Sequence, residues 1–407
     1  MKILLLNDDY PPRGASSVSS VVKNLAEGYA HRGHDVSILT SHRKEVSPTI
    51  LREGNVTSLP VSYRTALRHY LCLKMPSVSR MLEQEMTRIR PDIVHAHNIH
   101  QYLTYDALRV ARAFTPKVFI TMHDVFSFAF ARLATVRYLD SQGRDPRLTW
   151  MDHIRAVKLQ WNPLRNWRIR SVLHTNVRRV IAVSDALKSA LEANGVGNIS
   201  VIHHGIDVQK WQVSAEGRER FRALHHLQGK KVILFGGRLS EDKGARELLQ
   251  ALAEVRRTVP EAFLLVIGEE ARWRGLLRSS DVETQVKEYC RCTGWLNRTD
   301  TLHAFAAADL VTTPSLCLDT FNLMNLEAMA LAKPVVGTIY GGTPEIVRDG
   351  ETGFVCDPRD ISVFAEHLSV LLKDAALAER MGQAGRRRAE EHFSVEKQVE
   401  AHLALYR

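Results

Sequence analysis

Asp319 and Glu327 stand eight positions apart around the predicted start of a helix, in Asp319-Thr320-Phe321-Asn322-Leu323 and the residues that follow. Thr320 and Asn322 are residue types that cap a helix. A helix start presents unpaired N–H groups and partial positive charge, which suit a phosphate. With one carboxylate before the helix and one inside it, a ligand could be held at two ends. An N-cap followed by a solvated helix carboxylate would give the same pattern.

A second stretch runs Phe235-Gly236-Gly237-Arg238-Leu239-Ser240-Glu241-Asp242-Lys243-Gly244. A strand ends in two glycines, and Arg238 and Lys243 follow before a helix. Glycines permit close backbone approach, and two fixed cations suit a diphosphate. A solvated strand-to-helix loop can carry the same residues. The third stretch, Asp8-Asp9-Tyr10-Pro11-Pro12-Arg13-Gly14-Ala15-Ser16, joins the first strand to the first helix, where α/β sheets bind ligands. It is neither GxGxxG nor a phosphate loop ending in Gly-Lys-Ser/Thr, so a nicotinamide site is disfavoured. The fourth, Thr121-Met122-His123-Asp124, places a histidine and a carboxylate at a strand end. His95, His97 and His100 follow an earlier strand. His95 and His97 could be zinc ligands, but no third ligand stands at a convincing spacing.

The elements that must position these residues follow from periodicity. Short β-branched runs alternate with amphipathic helical segments, the pattern of parallel βαβ units. The first series has strands at Ile3–Leu6, Val36–Leu39, Ile93–His95, Val118–Thr121, Val180–Val183 and Ser200–Ile202, with a helix over Ser17–Arg32 ended by Gly33. The second has strands at Val232–Phe235, Phe263–Ile267, Leu310–Thr312 and Pro334–Gly337. Its helices fall at Ala245–Thr258, near Thr301–Ala307, and from about Asn322 to Ala332. A linker is expected near Asp207–Gln228, and Arg386–Tyr406 reads as a closing helix. Phe126–Arg179 yields no clean βαβ unit.

Composition agrees with two such domains. The chain has 407 residues, 45% hydrophobic and 25% charged. Single cores stop growing at about 250–300 residues. The net charge of +10 is uneven: residues up to Gly205 carry 28 basic and 16 acidic side chains, and the remainder 27 and 29. Arg132–Arg179 alone holds 11 basic and 3 acidic residues, with Trp150, Trp161 and Trp167 in or beside it. The five cysteines form no CxxC pair and fit reduced, buried thiols of a cytosolic protein. The N-terminal apolar run is too short for a signal peptide, and no stretch approaches the roughly 20 apolar residues of a membrane span.

Taken in order, PP-x-G at Pro11–Gly14, RGH-x-V at Arg32–Val36, PDIVHAHN at Pro91–Asn98, MHD at Met122–Asp124, HHGID at His203–Asp207, GGR-x₄-KG at Gly236–Gly244, D-x₇-E at Asp319–Glu327 and GGTPEIV-x-DG-x-TGF at Gly341–Phe354 resemble the retaining glycosyltransferases of family 4. The resemblance runs from about Met1 to Pro358. It implies the GT-B fold, an α/β architecture of two Rossmann-like domains facing a central cleft. The expected domains are 1–206 for the acceptor, with a basic, Trp-rich insertion at about 126–179, and 207–385 for the nucleotide sugar. A terminal helix at 386–407 would pack back on the first domain.

The resemblance also implies roles. Arg238 and Lys243 hold the donor diphosphate beside Gly237. Glu327 binds the ribose hydroxyls, and Asp319 the sugar hydroxyls. The backbone of Phe321, Asn322 and Leu323 meets the diphosphate and sugar. His123 faces the transferred sugar, Gly14 approaches the donor, and Gly294, Trp295 and Leu296 receive the base. His123, Asp319, Arg238 and Lys243 are thus the expected catalytic set. Three residues depart from the family pattern: Asp319 replaces the usual Glu, Asn322 stands where glycine is common, and Ala15 replaces a second loop glycine. The first two make donor identity the least constrained inference.

The expected activity is retaining transfer of a hexose-type sugar from a UDP- or GDP-linked donor to an acceptor hydroxyl in polysaccharide, glycolipid or other glycoconjugate synthesis. The alternative is an NDP-sugar epimerase or a non-catalytic sugar-nucleotide-binding protein. No DxD motif occurs, so no metal or other cofactor is expected. A nucleic-acid partner is not expected. The expected location is cytoplasmic and peripheral at the inner face of the membrane. Arg132–Arg179 would meet an anionic membrane surface, a lipid-linked acceptor or an anionic glycan acceptor, or form a solvated face.

Overall fold

The computed structural model describes every residue except Ala15, and of Leu159 the backbone alone. The departure noted at Ala15 therefore lies outside the described residues. Two compact units account for the chain: Met1–Leu133 with Pro146–Gly205 and Val395–Arg407, and Ala134–Asp145 with Ile206–Ser394.

In the first unit, strands β1 (Lys2–Leu6), β2 (Asp35–Arg43), β3 (Leu51–Glu53), β4 (Val56–Val61), β5 (Ile93–Ala96), β6 (Val118–Met122), β7 (Arg179–Ala182) and β8 (Ile199–Val201) form one sheet. Its order is β3-β4-β2-β1-β5-β6-β7-β8. Every pair is parallel except β3–β4. The short, partly exposed β3 carries no periodic signal, which is why the sequence pattern did not mark it. Ile3–Leu6 is buried on both faces, as a central parallel strand must be. The helix Ser17–His31 starts where the Ser16 side chain accepts from Ser19 N and buries Val21, Val22, Leu25 and Tyr29. Against it lies the terminal helix Val395–Tyr406: the Tyr29 and Tyr406 hydroxyls meet at 3.0 Å. A Cβ on Gly28 would come within 2.5 Å of Val399 Cγ2, so glycine allows that approach.

In the second unit, β9 (Lys231–Gly236), β10 (Ala262–Ile267), β11 (Cys290–Cys292), β12 (Leu310–Thr313), β13 (Val335–Thr338) and β14 (Gly353–Cys356) order as β11-β10-β9-β12-β13-β14. All are parallel. Helix Ala245–Thr258 buries Leu248, Leu249, Leu252 and Val255 on this sheet, with Leu368 and Leu371 in the same core.

Three expectations about organisation change. The interval Asp207–Gln228 contains a helix, Ala215–Leu224, capped by Ser214. Arg386–Tyr406 is not one helix: Ala375–His392 belongs to the second unit, so a boundary at 386 would cut it, and Val395–Tyr406 belongs to the first. The 126–179 segment is not a single insertion of the first unit. Ala134–Asp145 joins the second, where Arg359 pairs with Asp140 at 3.0 Å and the Tyr340 hydroxyl donates to Leu139 O at 3.1 Å.

The rest of that segment forms helices Trp150–Val157 and Arg165–Asn176 on the crossover from β6 to β7. Arg165 hides the second helix from pattern reading, because a charged residue occupies a core position. Its guanidinium sits 4.2 Å from the ring centroids of both Phe126 and Phe130 and donates to Ala129 O at 3.1 Å. Arg165 therefore contributes nothing to a surface charge.

Candidate active site

Parallel sheets bind ligands where the chain reverses its direction of strand addition, beyond the C-terminal strand ends. In the second sheet that point lies between β9 and β12, because β10 was added on one side of β9 and β12 on the other. The loop 237–244 after β9 and the loop 314–322 after β12 are therefore neighbours. Leu316 N donates to Asp242 O at 2.9 Å. Gly244 has φ +72°, and a Cβ there would lie 1.8 Å from Pro314 O. Only glycine fits so close to the other loop.

This contact delivers Lys243 to Asp319. Lys243 Nζ lies 2.5 Å from Asp319 Oδ2, with both side chains largely buried. The same oxygen accepts from Ser315 Oγ at 3.0 Å and Asn322 Nδ2 at 2.9 Å. Asn322 also accepts from Met324 N at 3.0 Å, so it caps helix Leu323–Ala330 while orienting Asp319. Arg238 is exposed, and its guanidinium makes no ion pair or hydrogen bond with any described residue. The loop pair thus offers one uncommitted cation, one cation shared with a carboxylate, and a helix start.

Glu327 lies in that helix and is half-buried. Burial pushes its carboxyl up to about 7, against the opposing pull of the Arg298 charge. Phe321 is buried edge-on against Phe393 at 6.0 Å. Leu323 is the first residue of the helix. A line of glycines connects the remaining loops. Gly237, at φ +110°, has its carbonyl oxygen 2.8 Å from where a Gly268 Cβ would be, and Gly268 N donates to Gly294 O at 3.2 Å. Beyond Gly294, Trp295 is 62% exposed, and Leu296 is half-buried.

Sequence reading missed Ser315, Gly341 and Tyr138. Gly341, at φ +69°, packs so tightly that a Cβ would lie 2.1 Å from Asp319 O. Gly342 N donates to that same oxygen at 2.8 Å. Tyr138, from the short segment in the second unit, accepts from Gly341 N at 3.0 Å through its hydroxyl. The GGTPEIV motif entered the sequence reading only as part of the family resemblance, with no role given to Gly341.

In the first unit, Gly14 closes a tight turn: its N–H donates to Tyr10 O at 3.0 Å, and a Cβ would lie 2.5 Å from Asp9 Cβ. Asp8 ties this loop to the one after β5 by accepting from the backbone N–H groups of Gln101, Tyr102 and Leu103. His123 follows β6 and is buried. Its Nε2 meets His97 Nδ1 at 3.0 Å and its Nδ1 meets His204 Nε2 at 3.2 Å. Burial, together with the surrounding histidines, holds it well below the usual imidazole range. Asp124 accepts from Phe126 N at 2.8 Å and so shapes its own turn. His95 bonds Tyr406 and Thr121 through its two ring nitrogens. Gly14 and His123 thus belong to one unit and the other candidate residues to its companion.

Residues 18–210 match the family model described as Glycosyltransferase Family 4, and residues 217–388 match that of Glycosyl transferases group 1. Glycogen synthase of Mycobacterium tuberculosis is 26% identical across 100% of this chain and 94% of its own length. Sucrose-phosphate synthase from Thermosynechococcus elongatus has a TM-score of 0.75 at 20% identity, covering 100% of this chain and 98% of that one. HepE from Anabaena, solved in complex with UDP-glucose, has a TM-score of 0.70 at 18% identity, covering 99% of each chain. Two parallel α/β units of this kind define the GT-B fold. The two matched models mark the chain as a glycosyltransferase of the family 4 type.

Proposed function

We propose that this enzyme transfers a hexose from a nucleoside-diphosphate sugar to an acceptor hydroxyl with retention of anomeric configuration. The carrying observation is the loop pair that presents exposed Arg238, Lys243 and the start of helix Leu323–Ala330. A departing nucleoside diphosphate gathers negative charge, and preorganised cations and N–H groups lower the barrier to its departure. Asp319 takes sugar hydroxyls, Glu327 takes the ribose, and Trp295 with Leu296 receives the base. Gly237 lets the backbone approach the diphosphate. The family resemblance gives His123 to the transferred sugar and Gly14 to the donor.

In this reading the bond from the anomeric carbon to the phosphate oxygen breaks as the bond to the acceptor oxygen forms on the same face. The acceptor proton passes to the leaving phosphate oxygen, and the oxocarbenium-like charge needs no enzyme nucleophile. The UDP-glucose complex of HepE supports a uracil-linked donor. Nucleotide release from a panel of UDP-, GDP- and TDP-sugars, with acceptor extracts present, tests the assignment. Release from one donor is expected. An absence of release from any donor would favour a sugar-nucleotide-binding protein, and interconversion of the sugar without transfer would favour an epimerase.

The acceptor reading rests on a surface of the first unit. Trp150 and Trp167 are 63% and 59% exposed, and Met151 and Leu164 are exposed as well. Asn166 lies 3.4 Å from His153, which joins the two helices carrying them. Arg155 and Arg168 are exposed on the same helices, and Lys158 is exposed just past the end of the first. Exposed tryptophans among cations suit the headgroup region of an anionic bilayer, which would present a lipid-linked acceptor. No helix among the described residues is long and apolar enough to cross a membrane. Sedimentation with phosphatidylserine vesicles at low salt should carry the protein down, and W150A/W167A should leave it in solution. Failure of the unaltered protein to sediment rejects this surface.

A further inference from the structure

The first unit buries a row of side chains of which the donor reading uses only His123. Gln398, His204, His123 and His97 follow one another through contacts of 3.4, 3.2 and 3.0 Å. His123 and His204 stack with ring centroids 5.0 Å apart, and His97 and His123 lie 5.2 Å apart. All four side chains are at least nine-tenths buried. Gln398 comes from the terminal helix Val395–Tyr406, 275 positions after His123.

From this geometry we infer that Gln398 sets where every proton in the row sits, and that Gln398, His204 and His97 are positioning residues that hold His123 as its Nε2–H tautomer. The direction follows from a backbone group. Gly205 N–H can only donate, and it donates to Gln398 Oε1 at 3.0 Å. The amide therefore turns its NH₂ toward His204 Nδ1, and an NH₂ can only donate. His204 Nδ1 is thus the acceptor, and a neutral His204 carries its proton on Nε2. That proton is donated to His123 Nδ1, so His123 in turn carries its proton on Nε2 and donates to His97 Nδ1. The opposite order would press two hydrogens together between Gln398 and His204.

Burial keeps the rings neutral, so the tautomers do not blur into a common cation. His204 is pushed down to about 3, and His97 and His123 fall well below their usual range. Two neighbouring rings spend nitrogens on other partners. His95 stacks on His97 at 4.3 Å but spends its nitrogens on Tyr406 and Thr121. His402 places Nδ1 on Gln398 O at 2.8 Å. His100 lies near enough to bear on His123 only through its charge. The row ends at His97 Nε2, which is buried without a hydrogen-bond partner among the described residues.

The tautomer stands on geometry alone, whereas its effect on turnover rests on His123 facing the transferred sugar. Imidazole nitrogen NMR of the full-length protein with ¹⁵N-histidine tests the first part, with His123 assigned by its absence in H123N. The expected spectrum shows His123 protonated at Nε2, and a proton on Nδ1 overturns the inference. In Q398E a carboxylate of the same shape still accepts from Gly205 but now also accepts from His204. His204 and His123 should then both shift their protons to Nδ1, with kcat falling about 10-fold or more and donor KM staying within about twofold. H97N, which leaves the Gln398 end intact, should preserve the His123 tautomer even if Q398E does not fold. Unchanged tautomers in Q398E overturn the proton order. Reversed tautomers with unchanged kcat overturn the positioning role. If no donor is turned over by the unaltered enzyme, the functional reading fails, while the spectra still decide the tautomer.

Discussion

Lys243 and Asp319, 76 positions apart in sequence, form an ion pair of 2.5 Å because the loops after β9 and β12 meet at the reversal point of the second sheet. Each loop is useful only through the other. Asp319 holds the ammonium in place, and Lys243, Ser315 and Asn322 together keep a largely buried carboxylate satisfied.

In the proposed donor site, replacing Lys243 by Ala would remove a cation from the leaving diphosphate, and it strips Asp319 of its counter-charge. Turnover should fall about 100- to 1000-fold, the usual cost of one preorganised charge-stabilising group. D319N keeps the Ser315 contact but loses the ion pair, so it should lower kcat less than K243A. Initial-rate kinetics of both variants and the double variant check this, with strong non-additivity expected for groups in direct contact. Full activity in K243A would refute the placement of the donor.

Glu327 supplies a pH handle on the same site. Its carboxyl is pushed up to about 7, so near neutrality it is only partly ionised. Hydrogen bonds from ribose hydroxyls are stronger to a carboxylate than to a carboxylic acid. Nucleotide affinity should therefore rise between pH 6 and pH 8, and calorimetric titration of UDP in E327Q should lose that slope. Stability moves the other way: the folded state holds this proton longer than the unfolded chain, so ionising Glu327 weakens the fold as pH rises from the ordinary glutamate value toward 7.

The strands and helices that bear the candidate residues were legible because parallel strands buried on both faces are continuous apolar runs, as in Ile3–Leu6 and Val232–Phe235. Arg238, Lys243, Asp319 and Glu327 were singled out by the family resemblance rather than by spacing alone, and the fold brings Lys243 onto Asp319. What could not be read is what tertiary contact decides. Arg165 looks like surface charge and is core. Tyr138 lies in a stretch without periodicity yet braces the Gly341 loop. Gln398 sits in the terminal helix beyond the last motif of the resemblance, and only the fold brings it to His204.

Gly341 tests how much the Asp319 loop depends on that bracing. Alanine there would force a left-handed backbone, costing about 1–2 kcal/mol, and would push its Cβ into Asp319 O. G341A should lower the melting temperature by several degrees and weaken nucleotide binding far more than G350A. Gly350 shares a positive φ of +73°, but nothing lies within 4 Å of its Cβ position. Thermal melts and UDP titrations of the two variants separate backbone strain, which they share, from displacement of Asp319, which only G341A causes.

The buried histidines set the acid limit of the fold. His95, His97 and His123 are held well below the usual range, and His204 and His402 fall to about 3 and about 4. Desolvation is the first cause in each case. Above pH 6.5 these rings are neutral in both states and pH costs nothing. Below it the unfolded chain takes protons that the folded chain refuses, so stability falls with pH, by up to about 1.4 kcal/mol per pH unit for each ring, until the folded values are reached. Denaturant unfolding followed from pH 7 to pH 5 should show this steep loss. H402Q removes one such ring outside the Gln398–His97 row, so its slope should be shallower by about one proton. A slope unchanged by H402Q would mean that His402 takes up its proton in the folded state near pH 6.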